Sequence, residues 1–313
     1  MTESRKNTTK LSSAVTPQIS AAIQKISAAA KLNNAITQSS VPKQKLIHSL
    51  KTKLREKVRE KVVKEHNIKR KDEYHDKEFN PHKRVPSGIP GFDDLTEGGF
   101  VLNSINLLGG DAGSGKSLFA MQFIIKGIEQ FNESGVYISF EESKIVVFER
   151  MKEYGWDLQK LENEKKFVYL QYTPEQVEQV LESGGGIIAD VVQSIGAKRV
   201  VFDSLTAFAF LFDSEFKQRS SLLSLFALIR KWGCTAILIA EEEPDLKAHK
   251  ANIMEFESDC DVLIYNILME NKREHVVEIY KMRGTNHSRN IYPLKIADDG
   301  ISINKSVYIQ QIN

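Results

Sequence analysis

The residues from 107 to 117 constrain the fold and chemistry of this 313-residue chain more than any other stretch. They read LLGGDAGSGKS and fit the pattern G-x-x-x-x-G-K-[ST] from Gly110 to Ser117. Residues 104–108 before the motif form an apolar run suited to a buried strand, and residues 118–128 carry apolar side chains at helical spacing. A strand, a glycine-rich loop and a helix in this order predict a phosphate-binding loop.

Such a loop binds a triphosphate because glycines let successive backbone N–H groups point inward with no Cβ in the way. The N-terminus of the following helix adds a dipole that favours negative charge. We expect Lys116 to reach the β- and γ-phosphates of ATP and the Ser117 hydroxyl to bind Mg²⁺. The predicted nucleotide-binding residues are Gly110, Asp111, Ala112, Gly113, Ser114, Gly115, Lys116, Ser117 and Leu118.

Charge divides the chain into two parts. Residues 1–84 contain 20 Lys and Arg against 8 Asp and Glu, a net of +12, whereas the remainder contains 23 against 33, a net of −10. A basic arm joined to an acidic body suggests that the arm has an acidic partner or lies on the body itself. A hydrophobic fraction of 41% over the whole chain is enough for a substantial core.

The sequence carries no signal of secretion or membrane insertion. The N-terminus lacks the apolar core of a signal peptide, and no run of about 18 apolar residues is present, so a cytoplasmic location is expected. Cys234 and Cys260 lie in apolar contexts, which favours buried reduced thiols over a disulfide or zinc framework.

Two segments are predicted within the basic arm. Residues 1–40 are rich in small and polar residues, so disorder is expected there. Residues 41–83 are predicted to be an amphipathic basic helix, over 43–71, followed by a charged linker over 71–84. The helix could bind nucleic acid, an anionic membrane surface or a partner groove, or pack on its own domain or a neighbouring subunit. Nucleic acid is not favoured, because interleaved aromatic residues and nucleic-acid motifs are absent.

Residues 84–313 are predicted to be one α/β domain. After the loop, strands and helices alternate, which is typical of a mainly parallel sheet flanked by helices, and the last strands follow one another closely enough for an antiparallel extension. The predicted strands are 136–140, 167–171, 199–205, 235–240, 262–268, 276–282, 292–296 and 301–303, and the predicted helices are 143–155, 174–195 (interrupted at 184–186) and 215–232.

Carboxylates follow two of the predicted strands. Asp203 ends an apolar strand, where a carboxylate supports Mg²⁺ in nucleotide-hydrolysing folds, although it could instead cap the next helix. Glu141 and Glu142 follow the strand 136–140 at the edge where open α/β folds bind ligands. One of them, for which we favour Glu141, could orient a water for attack on the γ-phosphorus, and either could simply begin the following helix.

A third polar cluster closes a later strand. Lys281, Arg283 and His287 surround a glycine in KMRGTNH and could neutralise charge on a transferring phosphoryl group. From their spacing alone, a solvated strand end is the favoured interpretation.

Five segments together resemble one domain of the KaiC family, which comprises RecA-like ATPases of cyanobacterial clock proteins and of many archaea. They occur in order over about residues 84–310: GIPGFDDLTEGGF, GGDAGSGKSLFAMQFIIKGI, VYISFEES, VVFDSLTAF and EIYKMRGTNHSRNIYPLKIADDGISI. The resemblance implies a RecA-type core that assembles as a ring, expected to be a hexamer, with ATP between subunits. It also implies that the loop and Asp203 serve one subunit's nucleotide and magnesium, and that Glu141 and Glu142 are paired catalytic glutamates.

The resemblance assigns further roles near the C-terminus. Lys281, Arg283 and His287 match residues that reach the ATP of a neighbouring subunit, and Asp298 is expected near the base or ribose. The sequence departs from the family at Glu255-Phe256, which fall where an autophosphorylating domain has a Ser-Thr pair. That departure favours plain hydrolysis over kinase activity.

Three functions therefore remain open. The leading one is a Mg²⁺-dependent ATPase whose nucleotide state switches an oligomer and its binding to an unknown protein partner. The second is a DNA-binding ATPase of the RecA or RadA type, which the basic arm favours, although no helix-hairpin-helix sequence is evident. The third is an autophosphorylating Ser/Thr kinase. A single KaiC-like domain is expected, so two stacked rings within one polypeptide are not.

Overall fold

The computed structural model describes residues 80–173, 176, 180, 185–210, 212–241, 255, 257–269 and 271–309. The predicted disordered segment 1–40 and the predicted basic helix 43–71 lie outside the described residues. Within the described part, no helix is long and apolar enough to cross a membrane. Cys234 and Cys260 are both buried free thiols, as predicted.

A nine-stranded sheet forms the centre of the domain, and five of its strands run parallel to the strand that precedes the loop. The strands are β3 (Ile105–Gly110), β4 (Gly135–Ser139), β5 (Phe167–Gln171), β6 (Arg199–Asp203), β7 (Thr235–Glu241), β8 (Cys260–Met269), β9 (Lys272–Met282), β10 (Tyr292–Ala297) and β11 (Gly300–Ile303), in the spatial order β11-β10-β9-β8-β3-β7-β6-β4-β5. The predicted mainly parallel sheet is confirmed. Its antiparallel extension begins at β9, because β8 pairs in parallel with β3 and antiparallel with β9.

Most helices of the described part alternate with the parallel strands along the chain. They are α1 (Phe92–Leu95), α2 (Lys116–Phe131), α3 (Lys144–Lys152), α4 (Leu158–Asn163), α5 (Gly186–Ser194), α6 (Leu205–Ala209) and α7 (Glu215–Trp232). The predicted helix 215–232 matches α7. The predicted helix 143–155 ends earlier, at Lys152, because the chain turns there and Gly155 adopts a left-handed conformation with φ of 75°. Much of the predicted helix 174–195 lies outside the described residues.

The linker predicted for 71–84 is wrong over its last residues. Residues Asn80–Val85 form strand β1, which pairs antiparallel with β2 (Phe100–Leu102) in a separate two-stranded sheet. Val85 is buried beside Phe100, and Arg84 donates a 2.7 Å hydrogen bond to the Thr285 hydroxyl. The charged composition of this segment predicted a linker, and the segment is too short for its sequence pattern to indicate a strand.

Helix α2 packs its apolar side chains against the sheet and is fixed at two points. At its C-terminal half, the Arg199 side chain is fully buried; it lies 4.4 Å from the Phe123 ring centroid and donates a 2.8 Å bond to Glu133. Near its middle, the Gln122 amide donates to the Ile301 carbonyl at 2.9 Å and accepts from the Ile301 N–H at 2.6 Å. The helix that begins at the loop is thereby joined to strand β11.

Register brings the ends of the central strands to one edge of the sheet. Gly110 at the end of β3 pairs with Glu241 at the end of β7, and Ser139 at the end of β4 pairs with Asp203 at the end of β6. In open α/β sheets ligands bind outside this carboxyl edge. The fold therefore collects the loop, Asp203 and the residues after β4 on one side of the sheet.

Candidate nucleotide site

A cavity of about 450 Å³ opens at the carboxyl edge of the sheet. The predicted residues Glu141, Glu142 and Asp203 line it, together with six residues of the predicted loop: Ala112, Gly113, Gly115, Lys116, Ser117 and Leu118. A second depression, of about 560 Å³, lies along Gly88–Gly98 and includes none of the predicted site residues. The predicted loop and the three predicted carboxylates therefore meet at the cavity on the sheet edge.

The loop backbone has the conformation that its glycines predict. Gly110, Gly113 and Gly115 have φ values of 151°, 76° and 97°, a region that glycine adopts without a steric cost. A Cβ at Gly110 would lie 2.2 Å from the Ile264 carbonyl oxygen, whereas one at Gly113 would meet no atom within 4 Å. The loop is thus packed against the sheet on one side and open toward the cavity on the other.

The Lys116 ammonium closes the loop on itself. Its Nζ donates to the carbonyl oxygens of Gly110 at 2.8 Å and Asp111 at 2.7 Å. Burial lowers the pKa of this lysine, while the negative charges of Glu241 and Asp203 act against that shift. A charged amine among loop carbonyls is ready to bind phosphate oxygens, which would replace the carbonyls as acceptors.

Asp203 lies beside the first turn of α2, in contact with a phenol. The Tyr137 hydroxyl donates a 2.5 Å hydrogen bond to Asp203 Oδ2. Burial raises the pKa of Asp203, and hydrogen bonds from Tyr137 and Ser117 oppose that rise. Burial and the negative charge of Asp203 also raise the pKa of Tyr137 well above its usual value, so the phenol is a proton donor at neutral pH.

The residues around Asp203 fit a magnesium ion that is held mainly by phosphates and water. The Ser117 hydroxyl and the Asp203 carboxylate would supply oxygen ligands, which Mg²⁺ prefers, and both line the cavity beside Lys116. Within the described residues, no group of three or more His, Cys, Asp or Glu has the arrangement of a self-contained metal site.

Asp203 does not cap the following helix, which was the alternative from sequence. The cap of α6 is Ser204, whose hydroxyl accepts from the Ala207 N–H at 3.4 Å. Glu141 and Glu142 likewise do not begin the helix that follows them, since α3 starts at Lys144 and has no acidic residue in its first turn. None of the three carboxylates is therefore used to cap a helix, and all three line the cavity.

The two consecutive glutamates have different surroundings. Glu141 Oε1 accepts one hydrogen bond of 2.8 Å, from the Ser204 hydroxyl. Glu142 is held by Arg150, whose two terminal nitrogens donate to its two carboxylate oxygens at 2.7 and 2.5 Å. Its backbone carbonyl also accepts a 3.0 Å bond from the Tyr169 hydroxyl. Glu142 is thus engaged at both side chain and main chain, whereas Glu141 is the more exposed of the pair.

Lys281, Arg283 and His287 lie at the opposite edge of the sheet. Met282 at the end of β9 pairs with Cys260, which pairs with Asn106 near the start of β3. The loop begins four residues further along β3, a distance of roughly 13 Å at the usual rise per residue. The structure therefore does not bring this cluster to the cavity of its own chain.

The three side chains of that cluster differ in their contacts. Lys281 forms a 2.9 Å ion pair with the buried Asp261 and donates to the Glu255 carbonyl and to the Ser258 hydroxyl. Arg283 is exposed, and His287 Nδ1 lies 2.9 Å from the Ser288 carbonyl oxygen. Phe256, the neighbour of Glu255 in the predicted departure from an autophosphorylating domain, lies outside the described residues.

Asp298 is near the cavity without lining it. This exposed residue lies in the turn between β10 and β11, two residues after Ile296, which does line the cavity. A Cβ on Gly115 would lie 3.0 Å from the Ile296 side chain, so the turn borders the loop.

Seven cavity residues were not predicted from sequence: Ser139, Arg150, Met151, Tyr154, Ile239, Glu241 and Ile296. Glu241 ends β7 beside Gly110, and the reasoning that selected Asp203 could have found it. Arg150 on α3 is one charged residue among many in its helix, so the sequence gives it no signal. Tyr154 adds an aromatic wall and stacks on Trp156 with ring centroids 5.3 Å apart. Ile296 adds an aliphatic wall.

The strand, glycine loop and helix, the carboxylate on the neighbouring strand and the sheet order define a P-loop nucleotide-binding protein with a RecA-like core. A family model described as "ATPase: KaiC" matches residues 85–308. The chain therefore belongs to the KaiC family of P-loop ATPases, and the resemblance inferred from the five sequence segments is confirmed.

Relatives come from both cyanobacteria and archaea. "Circadian clock protein KaiC3" of Synechocystis sp. is 37% identical over 230 residues, which is 71% of this chain and 45% of that protein. "Circadian clock oscillator protein KaiC" of Synechococcus elongatus is 34% identical, over 69% of this chain and 43% of that protein. The crystal structure of a KaiC-like protein from Pyrococcus horikoshii OT3 is 36% identical with a TM-score of 0.63, covering 71% of this chain and 99% of that one. The chain spans about half the length of these cyanobacterial relatives.

Proposed function

We propose that the protein is a Mg²⁺-dependent ATPase that works as a homo-oligomeric ring, expected to be a hexamer, and whose nucleotide state controls binding of another protein. One observation carries the proposal. The loop with Lys116, the oxygen ligands Ser117 and Asp203, and the exposed carboxylate of Glu141 line a single cavity. Together they supply phosphate binding, metal binding and a water-orienting group, which are the parts that hydrolysis of ATP requires.

Each group has a distinct task in the proposed reaction. Lys116 and the backbone N–H groups of the loop bind the phosphates, and Ser117 and Asp203 hold the magnesium. The bound metal supplies charge neutralisation of the phosphate oxygens. Glu141 accepts a hydrogen bond from the attacking water and orients it in line with the γ-phosphorus. Glu142, which Arg150 already engages at both oxygens, supports the loop that carries Glu141.

The position of the cationic cluster supports an interface between subunits. Lys281, Arg283 and His287 lie at the sheet edge opposite their own loop, so in this proposal they act on the nucleotide of a neighbouring copy. A head-to-tail contact of this kind repeats from subunit to subunit, and it forms a ring when the rotation between neighbours closes. An arginine supplied across such an interface typically accelerates phosphoryl transfer by about 10³–10⁵.

Lys116→Ala tests nucleotide binding in the full-length chain. The variant loses an ammonium that makes charge-assisted bonds to phosphate, each worth about 1.5–3 kcal/mol, so ATP affinity should fall at least tenfold. Fluorescent-nucleotide titration measures it, with the exposed Lys272→Ala as the matched control. Light-scattering mass measured with and without ATP and Mg²⁺ reports the assembly. Unchanged ATP affinity in Lys116→Ala would refute the proposal, as would a monomer under every condition.

The basic segment 43–71 supports a DNA-binding ATPase of the RecA or RadA type as the second candidate. Binding of single-stranded DNA that weakens steeply with salt, together with ATP hydrolysis that DNA stimulates, would favour it. Label transferred from γ-labelled ATP to the protein would favour the autophosphorylating kinase instead. Without either result, the ring ATPase remains the proposal.

A further inference from the structure

Two tyrosines on neighbouring strands reach from the interior of the sheet to its carboxyl edge. Tyr137 on β4 pairs with Tyr169 on β5, and the two buried rings stack with centroids 5.6 Å apart and planes 7° apart. We propose that both are positioning residues of the ATPase site: the Tyr137 hydroxyl orients the Asp203 carboxylate for the metal, and the Tyr169 hydroxyl fixes the segment that carries the glutamates. This inference rests on the proposed function and assigns it two further residues.

Register explains why Tyr137 meets Asp203. Tyr137 pairs with Val201, and Asp203 lies two residues further along β6, so the two side chains project from the same face of the sheet. Diagonal neighbours of this kind are within reach of an aromatic side chain. The 2.5 Å bond to Oδ2 is charge-assisted and leaves the rest of the carboxylate to face the cavity. Partners of this kind fix the orientation of metal ligands.

Tyr169 acts on the other part of the site. Its hydroxyl donates to the Glu142 carbonyl oxygen at 3.0 Å, while Arg150 holds the Glu142 carboxylate at both oxygens. The Ser139 hydroxyl accepts from the Glu142 N–H at 3.1 Å. The backbone that presents Glu141 is therefore fixed directly after β4, and the Glu141 carboxylate is set toward the cavity with Ser204 as its partner.

Packing alone does not account for the two hydroxyl groups. Phenylalanine would fill the same space and keep the ring stack, without burying a polar group. A buried hydroxyl is tolerated only where it has a partner, and here both partners belong to the site. The two hydroxyl groups therefore have different roles. The Tyr137 hydroxyl affects the metal ligand Asp203, and the Tyr169 hydroxyl affects the segment that carries Glu141.

Tyrosine-to-phenylalanine variants separate the two effects. In Tyr137→Phe, affinity for the metal should fall by about 10–100-fold, as for other lost partners of metal ligands, while ATP affinity without metal stays unchanged. Paramagnetic resonance of Mn²⁺, titrated in the presence of a non-hydrolysable ATP analogue, measures this without turnover. In Tyr169→Phe, metal affinity should stay within twofold of wild type, and kcat should fall by about two- to tenfold, the usual effect of one hydrogen bond.

Tyr265→Phe is the matched control. Tyr265 is a buried tyrosine on β8, and its hydroxyl donates to the Glu278 carboxylate on β9, outside the cavity. Tyr265→Phe should change neither the metal affinity nor kcat. Mn²⁺ affinity of Tyr137→Phe within twofold of the control would overturn the inference and leave the proposed function standing. So would equal losses of metal affinity in Tyr137→Phe and Tyr169→Phe. A wild-type chain that binds no metal-nucleotide complex would overturn both the inference and the proposed function.

Discussion

The proposed sharing of each site between two chains makes a quantitative prediction for mixed assemblies. Glu141 lines the cavity of its own chain, whereas Arg283 lies at the opposite edge of the sheet and is exposed. Glu141→Ala and Arg283→Ala assemblies should each be nearly inactive. In Arg283→Ala, kcat should fall by about 10³–10⁵-fold. When the two are mixed, a site is complete only where an Arg283→Ala chain supplies Glu141 and a Glu141→Ala chain supplies the arginine.

The expected rate of the mixture follows from counting interfaces. At a 1:1 ratio and random assembly, each of the two conditions holds for about half of the positions, so about one quarter of the wild-type rate should return. The rate should peak at equal amounts and fall to either side. Because the count concerns neighbouring pairs, it does not depend on the number of subunits in the ring.

Coupled-enzyme measurement of ATP hydrolysis over a series of mixing ratios is the assay, with two tagged chains to demonstrate co-assembly. Arg273→Ala is the control, since this arginine of β9 bonds the Asn266 carbonyl in the hairpin, and its mixture with Glu141→Ala should give about half the rate. If co-assembled Glu141→Ala and Arg283→Ala chains are no more active than each alone, Arg283 does not act across an interface.

Two further predictions concern the folded chain itself. In Gly127→Ala, the new Cβ would lie 2.2 Å from Arg199 Nε, so unfolding should become easier by about 1–3 kcal/mol, and Tm should fall by about 2–4 °C per kcal/mol. An unchanged melting curve would show that Arg199 can move aside. Burial raises the pKa of Asp203 above 3.8, so the nucleotide-free folded chain binds more protons than the unfolded chain between 3.8 and the raised value. Its free energy of unfolding should fall as pH rises through that window, and Asp203→Asn should remove this part of the slope in urea titrations; an identical slope would contradict the assignment.

The sequence was most informative where structure depends on local residue types. The loop from Gly110 to Ser117 needs glycines at positions of positive φ, and this requirement appears directly in the sequence. The parallel strands β5 and β6 and helix α7 were likewise predictable, because β5 and β6 are short apolar runs and the apolar residues of α7 recur at helical spacing. The strand order and the point where the antiparallel part begins could not be predicted, since they depend on pairing between distant segments.

The contacts between side chains of the site could not be read from sequence. The bond from Tyr137 to Asp203 depends on the register of β4 against β6, and nothing in either segment specifies it. The ion pair of Arg150 with Glu142 depends on where α3 begins, which is at Lys144, two residues after Glu142. Roles for Lys281, Arg283 and His287 came from the resemblance alone and stay predictions, although their place at the far edge of the sheet agrees with action on another chain.

The double hydrogen bond of Gln122 to Ile301 has a mechanical consequence. Helix α2 begins at the phosphate-binding loop, and Gln122 in its second turn bonds both main-chain groups of one residue in β11, the outermost strand of the sheet. Two bonds to one residue resist sliding as well as separation. A displacement of the loop that moves α2 along its axis therefore pulls on the last hairpin of the domain, so the outer edge of the sheet can report the state of the loop to whatever touches that edge.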